Sequence, residues 1–188
     1  MAQVVGQLQH ALKEWAIAIN ALSTGKMIML LRKGGIRERR FQVKHSSVWL
    51  YPTYEHQKPH LLDPEYASQV TPVESGWHPK DVTIKSRAEI TDTIQIDNKE
   101  QVAALQPYHI WNAQMIDERL KWKPKTPLII LLLRVYRLPT PQTIPYNNAY
   151  GGCKSWIDLI EPIIHDDLIP VLSDVEYTAQ VNRIKALI

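Results

Sequence analysis

The segment Leu128–Leu138 (LIILLLRVYRL) limits the possible folds of this chain more than any other. Its first half is continuously apolar and its composition favours a strand, which is typical of a strand covered on both faces. The apolar run is far shorter than the roughly 20 residues that a membrane-spanning helix needs. We therefore predict a central strand in a layered, sheet-containing domain, and we expect no membrane partner.

The N-terminal part combines a helical pattern with strand patterns. Apolar residues recur at spacings of four and three from Leu8 to Leu22, which predicts a helix over about residues 7–22, ended by Gly25. Short apolar runs at 26–33 and 48–51 then lie on either side of a basic Gly-Gly turn. We expect these two strands to pair as a hairpin across that turn.

The remainder alternates between proline-rich loops, strands and helices. Five prolines between Pro52 and Pro79 indicate a long loop that wraps the surface or covers a site. Two short strands are expected within 82–96, helices over about 98–105 and 108–120, and a second loop over 139–152. Ser173 and Glu176 have the spacing of a capping box before a closing helix.

These patterns together predict an α+β fold. We expect a mixed, mainly antiparallel sheet or partly open barrel, with an N-terminal helix, one or two mid-chain helices and a C-terminal helix. With 188 residues, the length predicts one domain over residues 1–188. Cys153 is the single cysteine and no signal-like segment precedes the first amphipathic stretch, so we expect a cytoplasmic protein.

The basic Gly-Gly turn is the first candidate binding site. Adjacent glycines let successive backbone N–H groups converge on an anion, and neighbouring basic side chains add positive charge. The alternative is a plain hairpin turn with solvated charges. The turn lacks the spacing of a P-loop, so nucleotide hydrolysis has no support. Its candidate ligand-binding residues are Arg32, Lys33, Gly34, Gly35, Arg37, Arg39 and Arg40.

The segment at 51–57, at the end of the expected strand over 48–51, is the second candidate binding site. Tyrosines can stack on nucleobases, and a carboxylate beside an imidazole can perform acid–base work. A polar loop whose side chains satisfy backbone groups is an equally good interpretation. The candidate residues here are Tyr51, Thr53, Tyr54, Glu55, His56 and Gln57.

A metal-dependent nuclease is an alternative function. Asp97 and Lys99 form a D-x-K triplet after an expected strand, and Glu14 supplies a further carboxylate, in the manner of restriction endonucleases. The seven histidines show no zinc-ligand spacing, so we expect no metal and no cofactor. An adaptor that binds a protein partner is a third possibility, and whether the chain is an enzyme stays open.

Several segments resemble the family of domains of unknown function 1802. They are ALKEWAIAINAL at 11–22, LLRKGGI at 30–36, YPTYEHQ at 51–57, HIW at 109–111, and RLKWKP with PLIILLLRVYRL within 119–138. The resemblance implies a bacterial cytoplasmic protein without an assigned activity, so no catalytic residue is transferred from it. A looser likeness to ASCH and PUA-like RNA-associated barrels rests on Ala21-Leu22, Gly25-Lys26 and Arg32.

The leading hypothesis from the sequence is a domain that binds nucleic acid, or another phosphate-bearing ligand, through the turn at 32–40 and the segment at 51–57. The barrel likeness favours RNA over DNA. The charge distribution agrees with this hypothesis, because residues 32–44 carry six basic side chains and one acidic side chain.

Overall fold

The computed structural model describes residues 6–33 and 41–188. They form an α+β fold built on one sheet. The strands are β1 (Gly6–Trp15), β2 (Met29–Arg32), β3 (Ser47–Thr53), β4 (Asp81–Ile96), β5 (Leu128–Pro145), β6 (Trp156–His165) and β7 (Ile169–Pro170). The α-helices are α1 (Ala16–Ser23), α2 (Pro64–Ala67), α3 (Lys99–Ala104), α4 (Ala113–Lys121) and α5 (Asp174–Lys185).

The sheet is mixed and mainly antiparallel, as the sequence predicts. Its strand order is β2-β5-β4-β3-β1-β6, with β7 pairing to β5. Within the described ranges, β1 and β3 form the one parallel pair, and the other pairs are antiparallel. The carboxyl ends of β1 and β3 therefore lie side by side, with Trp15 opposite Thr53.

Alternation along β3 divides the core between the two faces of the sheet. Val48 and Leu50 belong to the larger apolar cluster, which includes α1, whereas Trp49 and Tyr51 belong to a smaller one. Residues 128–133 of β5 are at most 4% exposed, which confirms that this segment is a buried central strand.

The helix predicted over about 98–105 and the predicted closing helix are both present, and each begins with a side-chain cap. The Asn98 side chain accepts hydrogen bonds from the backbone N–H groups of Glu100 and Gln101 at the start of α3. Ser173 and Glu176 form the predicted capping box of α5. Among the described residues, no helix has the length and apolar character needed to cross a membrane.

The predicted helix over 7–22 is wrong in its first half. Residues 6–15 form β1, which pairs with β3 on one side and β6 on the other, and the N-terminal helix begins only at Ala16. Hydrogen bonding between two neighbouring strands outweighs the local helical periodicity of this segment.

The predicted hairpin between β2 and β3 is also wrong. β2 pairs with β5, and β3 lies between β1 and β4. The two expected short strands in 82–96 are one long strand, β4, and register shifts between Ile84 and Ser86 and between Ile90 and Asp92 account for the broken apolar pattern. β5 likewise continues to Pro145, into the expected second loop.

Candidate functional site

A pocket of about 320 Å³ opens at the carboxyl ends of the parallel strands β1 and β3. The ends of these strands form one part of its wall, together with the residues that follow β3. The rest of the wall comes from Arg32 at the end of β2, the loop at 76–79, the start of β4, residue 119 of α4 and the connection between β5 and β6. Its volume is within the usual range for pockets that hold a small ligand.

Two kinds of side chain dominate the lining of this pocket. Four are basic, namely Lys13, Arg32, Arg119 and Lys154. Eight carry aromatic or imidazole rings, namely Trp15, Tyr51, Tyr54, His56, Trp77, His78, Tyr146 and Tyr150. Glu14 and Glu55 are the carboxylates.

The aromatic rings contact one another along the wall. The ring of His78 stacks on Tyr146 with centroids 3.4 Å apart, and Tyr146 meets Tyr150 edge to face. Tyr150 in turn meets the buried ring of Tyr51 at 5.5 Å. At the mouth, Tyr54 meets Trp77 at 5.8 Å, and the Trp77 side chain remains 45% exposed. One chain of ring contacts thus runs from buried Tyr51 to exposed His78, and Tyr54 and Trp77 form a separate pair.

Arg32 is fixed at the pocket by three contacts. Its Nη2 donates to the carbonyl oxygen of Lys13 at 2.6 Å, and its Nη1 lies 3.3 Å from Oε2 of Glu14. The guanidinium also lies over the ring of Phe41. The side chains of Arg32 and Glu14 are only 13% and 9% exposed, so this ion pair is largely desolvated and its charge is rigidly held.

Lys13 and Tyr51 have perturbed pKa values. Nζ of Lys13 donates to the carbonyl oxygens of Tyr150 and Gly152, which fixes the connection between β5 and β6 against β1. Burial lowers the pKa of Lys13 and raises that of Tyr51. The Tyr51 hydroxyl is buried and has no hydrogen-bond partner in the described part of the chain.

Glu55 holds the loop at the pocket mouth in place. Its Oε1 accepts hydrogen bonds from the backbone N–H of Gly76 at 2.7 Å and from the Ser75 hydroxyl at 3.1 Å, and it lies 3.1 Å from Nε2 of His56. The bond from Gly76 is the largest cause that lowers the pKa of Glu55. Trp77 and His78 directly follow this anchor point.

The structure brings most of the described candidate residues to this pocket. Arg32, Tyr51, Thr53, Tyr54, Glu55 and His56 line it. Arg32 and Tyr51 were expected to belong to one binding site, on strands that pair as a hairpin. They do line one pocket although β2 and β3 are not neighbours, because the guanidinium of Arg32 contacts Lys13 and Glu14 of β1, the strand that pairs with β3 in parallel.

Two candidates have other contacts. Oε1 of Gln57 accepts a hydrogen bond from the N–H of Ile17 and so satisfies a free donor at the start of α1. Nζ of Lys33 donates to the carbonyl oxygens of Arg119 and Leu120, and burial lowers its pKa. Gly34, Gly35, Arg37, Arg39 and Arg40 lie outside the described residues.

Sequence reasoning missed several lining residues. Lys13 was assigned to a helix, which concealed its position at the end of a strand beside Tyr51. Trp77 and His78 fall in the loop that was expected to cover a site, but nothing in the local sequence connects them with Tyr54 or Tyr146. Two signals pointed toward them: the length of that loop and its aromatic residues.

The three residues of the nuclease hypothesis do not converge. Glu14 pairs with Arg32, whereas Lys99 pairs with Asp117 at 2.9 Å. Asp97 is exposed, and neither it nor Lys99 lines the pocket that Glu14 lines. Glu14 is thus an ion-pair partner in the pocket, and its Oε1 accepts a hydrogen bond from the backbone N–H of Trp15 at 2.7 Å.

A family model described as a domain of unknown function (DUF1802) matches residues 11–183. No curated protein matches the sequence.

The chain is similar to the solved crystal structure of ASCH from Zymomonas mobilis. The identity is 13%, the TM-score is 0.42, and the match covers 92% of this chain and 93% of that one. A mutant of that ASCH protein gives 12% identity and a TM-score of 0.44, over 93% and 96% of the two chains. We draw no functional conclusion from a likeness this distant.

Proposed function

The chain belongs to the family described as domain of unknown function (DUF1802), and we propose that its pocket binds single-stranded RNA. One nucleotide enters the pocket with its base against the aromatic wall and its phosphate toward the basic side chains. The observation that carries this proposal is the lining itself, because one pocket is lined by eight residues with aromatic or imidazole rings and by four basic residues.

The aromatic wall supports binding of an unpaired base. Stacking on an aromatic side chain contributes about 1–3 kcal/mol per base in proteins that bind single strands, and it needs bases that are not already stacked in a duplex. Tyr54 and Trp77 are at the mouth, where an incoming base meets them first.

The charge around the pocket supports a phosphate-bearing ligand. Arg32 is fixed and largely desolvated beside Lys13, and in the sequence it is followed by Gly34, Gly35, Arg37, Arg39 and Arg40. Glu55 provides carboxylate oxygens that can accept a hydrogen bond from a ribose 2′-hydroxyl, the group that distinguishes RNA from DNA.

The first test separates charge from stacking by the salt dependence of binding to a short single-stranded RNA. Each basic contact to a phosphate gives a slope of about −0.7 in log K against log salt concentration. We expect Arg37→Ala/Arg39→Ala/Arg40→Ala to flatten the slope by about 2. Trp77→Ala is expected to lower the affinity by a similar factor at every salt concentration and to leave the slope unchanged.

Matched controls are available for both variants. Trp122 is as exposed as Trp77, at 45%, but does not line the pocket, so Trp122→Ala should bind RNA like the wild type. Lys26→Ala/Lys85→Ala/Arg183→Ala removes three exposed charges elsewhere and should change the slope less. Absence of RNA binding at about 50 mM salt, where electrostatic attraction is strong, would refute the proposal.

A further inference from the structure

A cluster of side chains that could coordinate a metal ion lies outside this pocket. Within the described residues, His10, His45 and Asp158 each offer one ligand atom, and these three atoms lie within 4.8 Å of one another. None of the three lines the RNA pocket. We propose that they form a binding site for a divalent transition-metal ion of the zinc class.

The pairing of β1 with β6 positions two of the ligands. His10 and Asp158 are directly opposite in the antiparallel register. Nδ1 of His10 lies 2.6 Å from Oδ1 of Asp158. A metal ion takes the place of the proton between them, with an opening of about 1 Å, because zinc binds imidazole nitrogen and carboxylate oxygen at about 2.0–2.2 Å.

Packing against Trp156 positions the third ligand. The His45 ring stacks on His10 with centroids 3.5 Å apart and meets the edge of Trp156 at 6.0 Å, and it has to turn out of the stack to share one ion with His10, because an imidazole binds a metal in its ring plane. Nε1 of Trp156 donates to the carbonyl oxygen of Gln42, and its ring packs on Phe41. The segment that carries His45 is therefore fixed on the same strand that carries Asp158.

The donor set determines the class of metal. Two imidazoles and one carboxylate suit zinc, copper or nickel, whereas magnesium and calcium prefer oxygen ligands only. Three protein ligands leave a coordination position for water or substrate. The side chains of His10 and Asp158 are 40% and 65% exposed, so this position is open to solvent.

Metal binding at this site would join β1 and β6 to the segment at 41–46, which directly follows Arg40 in the sequence. A ligand that binds only the folded state stabilises it by mass action. The site is thus placed to stabilise the attachment of that segment to the sheet, independently of RNA binding.

Calorimetric titration of the tag-free full chain with zinc chloride tests the proposal. We expect one ion per chain. His45→Gln and Asp158→Asn should each lower the zinc affinity by at least about tenfold, because even residues that only hydrogen-bond to a metal ligand cost about that much when they are replaced. His60→Gln, an exposed histidine outside the cluster, should bind zinc like the wild type. Magnesium should not compete.

Tryptophan fluorescence provides a second test of metal binding that does not depend on the heat of binding. Copper or nickel bound beside Trp156 should quench tryptophan fluorescence in the wild type, with recovery on addition of a chelator, and should quench less in His45→Gln. Circular dichroism confirms that each variant is folded. Unchanged zinc affinity in folded His45→Gln, or no zinc binding at about 100 µM to the wild type, would overturn the site. Because the RNA assay uses other residues, its failure leaves this result unaffected.

Discussion

Arg32 illustrates how one side chain can be held by the fold and still belong to a binding pocket. Its contacts with Lys13 and Glu14 fix the guanidinium at the pocket wall before any ligand arrives. A preorganised group loses little conformational entropy on binding, in contrast to an exposed lysine. The carboxylate of Glu14 also prevents the buried positive charge from being unpaired.

His109 gives a pH-dependent prediction at the residue scale. Its side chain is 6% exposed, and burial lowers its pKa to about 4, compared with an ordinary value of 6.5. Between these two pH values the unfolded chain binds a proton here that the folded chain does not. The free energy of unfolding should therefore fall as the pH falls through this window, by up to about 1.4 kcal/mol per pH unit.

Urea unfolding of wild type and His109→Gln at a series of pH values between 7 and 4 measures this contribution. We expect the decline to be shallower in His109→Gln. His60→Gln makes the same substitution at an exposed position and should follow the wild-type curve. Parallel curves for wild type and His109→Gln would show that the imidazole is not kept neutral by burial.

Gly25 gives a prediction at the scale of elements, because it joins α1 to the strand β2. Its φ is +73°, and the N–H of the next residue, Lys26, donates to the carbonyl oxygen of Ala21, so the helix ends in a left-handed cap. An added Cβ would lie 2.8 Å from Cδ2 of Leu172, just ahead of α5. Gly25→Ala should lower the free energy of unfolding by about 1–2 kcal/mol for the backbone alone, and further for the displaced Leu172.

Gly152→Ala is the matched variant. Its φ is +77°, but nothing lies within 4 Å of an added Cβ, so it should lose only the backbone contribution. The difference between the two variants in chemical denaturation measures the cost of moving Leu172. Equal destabilisation would mean that Leu172 moves at no cost.

The elements that were predicted correctly share one property: their signals are local. The continuous apolar run of β5 and the side-chain caps of α3 and α5 are each determined by neighbouring residues. β1 was mistaken for a helix because its identity depends on β3 and β6, which are far away in the sequence. Partners at that distance leave no local pattern.

At the scale of the whole molecule, the sequence predicts the fold class but not the strand order. The parallel pairing of β1 with β3 brings Lys13 beside Tyr51, and nothing in either segment indicates it. The local sequence likewise does not indicate that His10, His45 and Asp158 meet, because they come from β1, the segment before β3 and β6. About a third of the pocket lining could be anticipated from the sequence, namely the segment 51–56 and Arg32. The residues of that segment are adjacent in the chain, and Arg32 belongs to a conspicuous basic cluster.

Cross-linking of RNA to the protein shows whether the RNA binds in the pocket. Wild-type protein is irradiated with a single-stranded RNA that contains 4-thiouridine, and the attached peptides are identified by mass spectrometry. We expect cross-links at Tyr54, Trp77 or Tyr146 that are lost when unlabelled RNA competes and are reduced in Trp77→Ala. Cross-links confined to the exposed Trp122 and its lysine neighbours, with none at the pocket, would contradict it.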